Sequence, residues 1–470
     1  MNRSVVAVAV AIALVLSASL ATAVFGLADG RGPGDCGRVP AGPVVATRVL
    51  QCIAPSLAFV ETGLGTGSAI LVEGGFLVTN AHVVEPFARV DVVFEGGERH
   101  DDLPVVGADL VADIAVLGPV DTERRPLPIA DFEGAKGDDL FLVGFPGEVD
   151  DEPEATISRG ILSRTRSVED FGLSFFQTDA SIGGGQSGGA LVDDRGRVVG
   201  VSGFSFAEQF ALALSGGDTR SSIQRITGGD ADVYVPFPDG PGATSGEFEV
   251  ADPEAPQVLT VRTGDEPETI RLTLPAELDP TLMVVGWMGE VFFQNQAVLD
   301  LLEEVGEGSG GEADDPVSPG VFEFEVPEET YALIFVGSRR PGATKLRYVS
   351  SVPLGRYDDT DEGRRLRTGQ RLEGVLDSLE VHGDSFVLDL DEGDEVEIHA
   401  SSATGDVGFA VRAPGRRGDE EETFVDDSDE GLFGFDAKEK FTAKRSGAHR
   451  VTVYSADGRA TAYALEVEPA

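Results

Sequence analysis

The stretch QTDASIGGGQSGGALV, residues 177–192, sets Ser187 behind three consecutive glycines and a glutamine and ahead of two more glycines. Glycine gives up side-chain packing for backbone freedom, so such a cluster marks a main chain bent tightly about something small. The bend suits a flexible hairpin loop. It equally suits a nucleophile loop, in which the amides of Gly185 and Ser187 converge on the negative oxygen of a tetrahedral intermediate. A serine hydroxyl is a weak nucleophile by itself, so the nucleophile loop requires a base elsewhere in the chain. Five histidines are available. His82, in FLVTNAHVVEP, stands where a strand ends and turns into a new segment, and is the candidate base. His100, His382, His399 and His449 fall in charged turns or alternating strands and read as solvated surface residues. An imidazole base is helped by a carboxylate that fixes its tautomer and stabilises the imidazolium. ADLVADIAVLGPV offers Asp109 and Asp113; Asp113 precedes the apolar run IAVL, as a carboxylate carried into a core would, whereas Asp109 reads as solvated.

The elements that must position these groups are short. SAILV, FLVTNAHVV, RVDVVF, IAVLGPV, DLFLVGFPG and ALVDDRGRVVGVSGF are valine-rich runs separated by glycine and acidic turns, which predicts strands of a sandwich or barrel. DTRSSIQRI near residues 218–226 is the one short helix expected to close this part. PFPDGPGATSGEFEVADPEAP (236–256) is rich in Pro, Gly and acids and reads as a linker. Beyond it, EETYALIFVGSRRPGATKLRYVSSV (328–352) and SGAHRVTVYSADGRATAYALEVEP (446–469) share a strand, polar turn, strand layout, and read as two copies of one β-sandwich unit.

The chain of 470 residues carries a formal charge of -46, from 82 acidic against 36 basic residues. A field of that sign repels nucleic acid and anionic membrane surfaces and favours basic partners. Scarce lysine beside abundant acid fits either adaptation to concentrated salt, where screening suppresses self-repulsion, or a coding bias toward arginine. Arg3 followed by the uncharged run Ser4–Leu27, with Ala-Thr-Ala at 21–23, predicts a signal peptide or an uncleaved N-terminal membrane anchor over 1–23. Either version exports the remainder. Cys36 and Cys52 are the two cysteines, and in an exported chain a bridge between them is their expected use, worth about 3 kcal/mol in the chain-entropy view.

The order His82, Asp113, Ser187 is that of chymotrypsin rather than of subtilisin or the α/β-hydrolases. TNAHVV, ADIAVL and QTDASIGGGQSGGAL, with GTGSAILVEGG before and GRVVGVSGF after, resemble the HtrA (DegP-like) branch of trypsin-like serine proteases over about residues 53–228. The resemblance implies a double six-stranded β-barrel with His82 and Asp113 from the first barrel and Ser187 from the second. It also implies an oxyanion hole at Gly185 and Ser187, Ser181 at the base of the primary specificity pocket, and a substrate-pairing strand at Gly203, Phe204 and Ser205. No acid stands at position 181, so cleavage is expected after small or medium apolar residues. Polypeptide substrates, unfolded proteins among them, are implied, with no cofactor and no metal. Two features depart from the family. Gly183, Gly184 and Gln186 replace the usual residues of the nucleophile loop, and loss of a proline restraint predicts a loop that orders only with substrate. No PDZ domain follows; EGLFGFD near 431 reads as a plain β-turn. Instead GQRLEGVLDSLEVHGDSFVLDLDEGDEVEI onward resembles the bacterial pre-peptidase C-terminal domain. DEEETFVDDSDEG (419–431) reads as a solvated acidic loop rather than a calcium site.

The expected organisation is therefore all-β: leader 1–23, an N-terminal segment 24–52, a chymotrypsin-like double β-barrel over 53–232, a linker 233–255, and β-sandwich domains over 256–354 and 355–470. An exported serine endopeptidase is the reading; a secreted binding protein on a non-catalytic protease scaffold is its rival, and an esterase a third.

Overall fold

The computed structural model describes residues 44–470 apart from 64, 86, 148–152, 208–209, 231–242, 251–256, 265, 287–290, 298, 300–315, 329, 340–343, 357–363, 377–382, 415–421, 431–435 and 457–459. The leader, Cys36, His382 and the EGLFGFD turn lie wholly or largely outside the described residues. Among the described residues no helix is long and apolar enough to cross a membrane.

Among the described residues a helix comes first. In α1 (Val44–Ile53) the residues Ala46, Val49, Leu50 and Ile53 recur at the spacing of one helical face. That face packs into a core shared with Phe141, Val143 and Val192. The sequence reading of 24–52 did not include this helix.

The valine-rich runs then form two closed barrels. Strands β1 (Leu57–Thr62), β2 (Gly65–Leu71), β3 (Leu77–Thr79), β4 (Arg89–Phe94), β5 (Arg99–Asp109) and β6 (Ile114–Leu117) close in the order β1-β2-β3-β6-β5-β4, with helix α2 (Ala81–Val84) between β3 and β4. Strands β7 (Asp139–Gly144), β8 (Thr156–Val168), β9 (Leu173–Thr178), β10 (Ala190–Asp193), β11 (Val198–Ala207) and β12 (Phe210–Ser215) close as β10-β11-β12-β9-β8-β7. Closure leaves no open sheet edge, and strands such as IAVL and ALVD are buried along their whole length. One apolar core runs from the first barrel into the second, where the rings of Phe59 and Phe145 meet edge to face at 5.9 Å.

Helix α3 (Gly216–Thr227) closes the second barrel, capped by Ser215, whose Oγ accepts from the Asp218 N–H at 3.2 Å. It also corrects the reading of Asp109. That carboxylate is 1% exposed; it accepts from the Ala112 N–H at 3.2 Å and from the Ser222 hydroxyl, and it pairs with Arg225. Ser222 and Arg225 lie on α3, so the partners that draw Asp109 inward are remote in sequence. His449 is corrected in the same sense: it is fully buried, with Nδ1 3.1 Å from the Gly447 carbonyl and its ring against Phe441.

Two further β-sheets follow, one of eight strands between Ala243 and Arg356 and one of ten between Arg364 and Pro469. The first begins inside the expected linker: Ala243–Val250 is a strand antiparallel to Thr344–Arg356, with Phe248 opposite Leu346. Its GEFEV alternation suits a strand with one apolar face, which the count of acids and glycines concealed. Both sheets dock on the first barrel near the loops that matter below. Tyr331 packs edge to face on Phe87 at 4.5 Å, the Thr404 hydroxyl donates to the Leu110 carbonyl at 3.3 Å, and the Ala460 N–H donates to Glu85 Oε2 at 3.1 Å.

Candidate active site

Strand β3 ends at Thr79 and the chain turns through Asn80 into α2, which carries His82. The loop between β5 and β6 carries Asp113 to the same place. Asp113 is 6% exposed and adopts φ +54°, a left-handed backbone that costs a residue with a side chain about 1–3 kcal/mol. The surrounding bonds hold it there. Its carbonyl accepts from the Ala81 N–H at 3.2 Å and from Asn80 Nδ2 at 2.8 Å, and its Oδ1 accepts from the His82 N–H at 3.0 Å. The second carboxylate oxygen, Oδ2, lies 2.7 Å from His82 Nδ1. A carboxylate at that distance places the imidazole proton on Nδ1, which leaves Nε2 as the basic nitrogen.

Ser187 approaches from the second barrel. The seam between the barrels is stitched by Ser68 of β2: its N–H donates to the Ser187 carbonyl at 2.7 Å, its hydroxyl donates to the Gly185 carbonyl at 2.8 Å, and that hydroxyl accepts from the Phe145 N–H at 2.8 Å. Thr79, three residues before His82, donates its hydroxyl to the Ser68 carbonyl at 2.7 Å. Ser68 and Thr79 thus tie the loop that carries Ser187 to the strand that leads into His82. The Ser187 hydroxyl is half-buried and donates over a long 3.4 Å to the Gly203 carbonyl.

Two glycines in the cluster combine close approach with a left-handed backbone. Gly188 has φ +81°, and a methyl group there would stand 2.0 Å from the Ser68 carbonyl oxygen and 2.3 Å from Thr79 Oγ1. Gly185 has φ +83°, and a methyl group there would stand 2.4 Å from the Gly147 nitrogen. Gly188→Ala is accordingly expected to cost about 1–3 kcal/mol in backbone conformation alone, to lower the midpoint of thermal unfolding and to part the seam. Thermal melts and activity checked together should both fall; a variant with unchanged melting and activity would show that the seam tolerates the added methyl.

The N–H groups of Gly185 and Ser187 donate to no other group among the described residues. Around them the loop is braced rather than loose, contrary to the sequence expectation. The Gly183 N–H donates to Gln186 Oε1 at 2.7 Å, Gln186 Nε2 donates to Thr156 Oγ1 at 2.8 Å, and the Gly147 N–H donates to the Gly184 carbonyl at 2.7 Å. Gln186, 7% exposed, supplies through its side chain a restraint that the missing proline would have supplied through φ.

Ser181 is exposed, and its carbonyl accepts from the Ser158 hydroxyl at 2.6 Å. Gly203, Phe204 and Ser205 lie on β11, where the pairing with β12 shifts register between Ser202 and Phe204; the side chains of Phe204 and Ser205 are outside the described atoms. Cys52 lies on α1. Among the described residues no group of His, Cys, Asp and Glu side chains could hold a metal ion. Ser68, Thr79 and Asn80 were not singled out in the sequence, and Gln186 was marked there only as a departure from the usual loop, not as a brace.

Residues 65–201 match the family described as trypsin-like peptidase domain. The serine endoprotease DegS of Salmonella typhimurium is 32% identical over 183 residues, covering 36% of this chain and 46% of the relative. The mitochondrial serine protease HTRA2 of Bos taurus is 31% identical over 197 residues, covering 38% of this chain and 42% of the relative. A solved serine endoprotease from Yersinia pestis is 28% identical, covering 40% of this chain and 67% of that one, with a TM-score of 0.35. The chain spans less than half the length of the two curated relatives, and the family match ends at residue 201, before both C-terminal sheets. Over residues 65–201 the chain is thus similar to the trypsin-like peptidase domain, and the curated relatives it resembles are named as serine proteases.

Proposed function

We propose that the chain is an exported serine endopeptidase in which His82, Asp113 and Ser187 act as a triad. The observation that carries this reading is the 2.7 Å contact from His82 Nδ1 to Asp113 Oδ2, set on the seam that also presents Ser187. His82 Nε2 takes the proton of the Ser187 hydroxyl as Oγ attacks the carbonyl carbon of the scissile peptide. The oxyanion so formed is received by the N–H groups of Gly185 and Ser187. His82 then gives its proton to the leaving amine, the C–N bond breaks, and a water activated by the same nitrogen hydrolyses the acyl ester. Asp113 holds the ring throughout and stabilises the imidazolium without taking the proton. No cofactor enters the reaction.

Substrate is a polypeptide, paired as an added strand along Gly203, Phe204 and Ser205, with its side chain over Ser181. Clients are unfolded or misplaced extracytoplasmic proteins. That location agrees with the leader expected over 1–23 and with a Cys36–Cys52 bridge. The C-terminal sheets are binding or secretion modules of the pre-peptidase C-terminal kind.

A panel of peptides differing at the residue before the scissile bond tests the reading. Cutting is expected after Ala, Val and Leu. Cutting after Lys or Arg alone would overturn the specificity, and hydrolysis of esters without peptides would make the enzyme an esterase.

A further inference from the structure

Asn80 opens α2, the position at which an asparagine side chain ordinarily accepts a bond from a helix N–H. It makes no such bond. The side chain, 2% exposed, turns the other way and donates Nδ2 to the Asp113 carbonyl at 2.8 Å. Its other atom, Oδ1, is buried and has no hydrogen-bond partner among the described residues. A buried amide oxygen without a donor is costly, and an apolar side chain of similar volume would avoid the penalty. The amide also faces Gly203, on the opposite side of the site, across the space that a side chain there would enter. A methyl group built on Gly203 would lie 3.2 Å from Asn80 Nδ2 and 3.6 Å from Oδ1. Gly203 is the residue whose carbonyl receives the Ser187 hydroxyl.

We propose that Asn80 is a positioning residue for the proteolytic reaction: one planar amide sets both the left-handed turn that aims Asp113 at His82 and the gap between that pair and the Gly203 strand beside Ser187. This rests on the triad reading above. The bond to the Asp113 carbonyl fixes the peptide plane from which the carboxylate hangs, so Oδ1 meets the His82 N–H while Oδ2 meets Nδ1. On the far side the glycine at 203 leaves the space that the amide fills. The helix cap and the satisfaction of Oδ1 are both forgone to keep the amide in this place.

The test uses the full chain and its best peptide substrate. Asn80→Ala is expected to lower kcat about 10- to 100-fold, the order produced by small displacements of reacting groups, with KM within about twofold of wild type. The rate of labelling by a fluorophosphonate probe should fall by the same factor, because labelling reads the Ser187 nucleophile without peptide binding. The low-field proton resonance of the His82 Nδ1–H bond should broaden or vanish. Gly203→Ala, which leaves Asn80 intact but crowds its amide, should reproduce the loss, and the double variant should be no slower than the slower single one. A folded Asn80→Ala chain with wild-type kcat and an unchanged low-field resonance would overturn the proposal. Should Asn80→Ala fail to fold, Gly203→Ala decides alone: unchanged kcat and resonance overturn the proposal, and their joint loss supports it. An active wild type beside a fully active Asn80→Ala defeats only this inference, whereas a wild type inert to peptide and probe defeats the triad reading and this inference with it.

Discussion

Ser187→Ala is expected to lower kcat about a millionfold, the scale of losing the nucleophile in a triad whose members act as a unit. The oxygen removed is the atom that would form the acyl ester, and among the described residues no other hydroxyl occupies its place on the seam. Residual turnover should persist, because the Gly185 and Ser187 amides can still receive an oxyanion and the substrate strand can still pair along Gly203 to Ser205. Stability should barely change. The lost hydroxyl makes one long contact, 3.4 Å to the Gly203 carbonyl, while the seam is carried by the Ser187 carbonyl, which accepts from Ser68 and is untouched by the substitution. Steady-state kinetics and thermal melts on the same preparation check both halves. A large fall in melting temperature beside the loss of activity would point to a structural serine instead.

Asp113→Asn is expected to lower kcat by about four orders of magnitude, the cost of holding a catalytic imidazole in the wrong tautomer. The direction follows from the backbone. The His82 N–H donates to Oδ1 at 3.0 Å, so the amide oxygen of the asparagine must stay at that position to accept it. The amide NH2 is then left facing His82 Nδ1, 2.7 Å away in the wild type. A donor there requires Nδ1 to accept, which moves the imidazole proton to Nε2 and leaves no base for the Ser187 hydroxyl. The variant should fold with the site geometry nearly intact, since both bonds persist with one reversed. The check is kcat together with the low-field Nδ1 proton resonance, which should disappear; an Asp113→Asn chain within tenfold of wild-type kcat would show that Asp113 does not set the tautomer.

Legibility along the chain follows how local each cause is. Ser187 announced itself because a tight turn needs glycine at several consecutive positions, and the strands announced themselves because valine runs punctuated by acidic turns are a local pattern. His82 and Asp113 were expected from chemistry, since a hydroxyl acting as a nucleophile needs a base and the base an orienting carboxylate, and the structure brings that histidine and carboxylate within 2.7 Å of each other. Asp109 did not, because the partners that draw it into the core, Ser222 and Arg225, arrive on α3 from the far end of the second barrel. His449 was misread for the same reason: a charged turn at Gly447 hides a ring that packs inward against Phe441. The strand Ala243–Val250 was lost in composition, where its glycines and acids resembled a linker although its partner, Thr344–Arg356, lies a hundred residues on. The bracing of the Ser187 loop by Gln186 was invisible because it depends on Thr156, at the start of β8. Proline is a restraint that sequence displays; a glutamine side chain bridging two loops is not.

The triad itself is tested most directly by reacting the full-length chain with a fluorophosphonate probe and reading the adduct by intact mass and peptide mapping. One probe per chain, attached at Ser187, slowed by several orders of magnitude in Asp113→Asn and absent in Ser187→Ala, is the expected result. A correctly folded wild-type chain that takes up no probe, or takes it up equally in Ser187→Ala, would contradict the hydrolytic reading and leave the barrels a scaffold for the two C-terminal sheets.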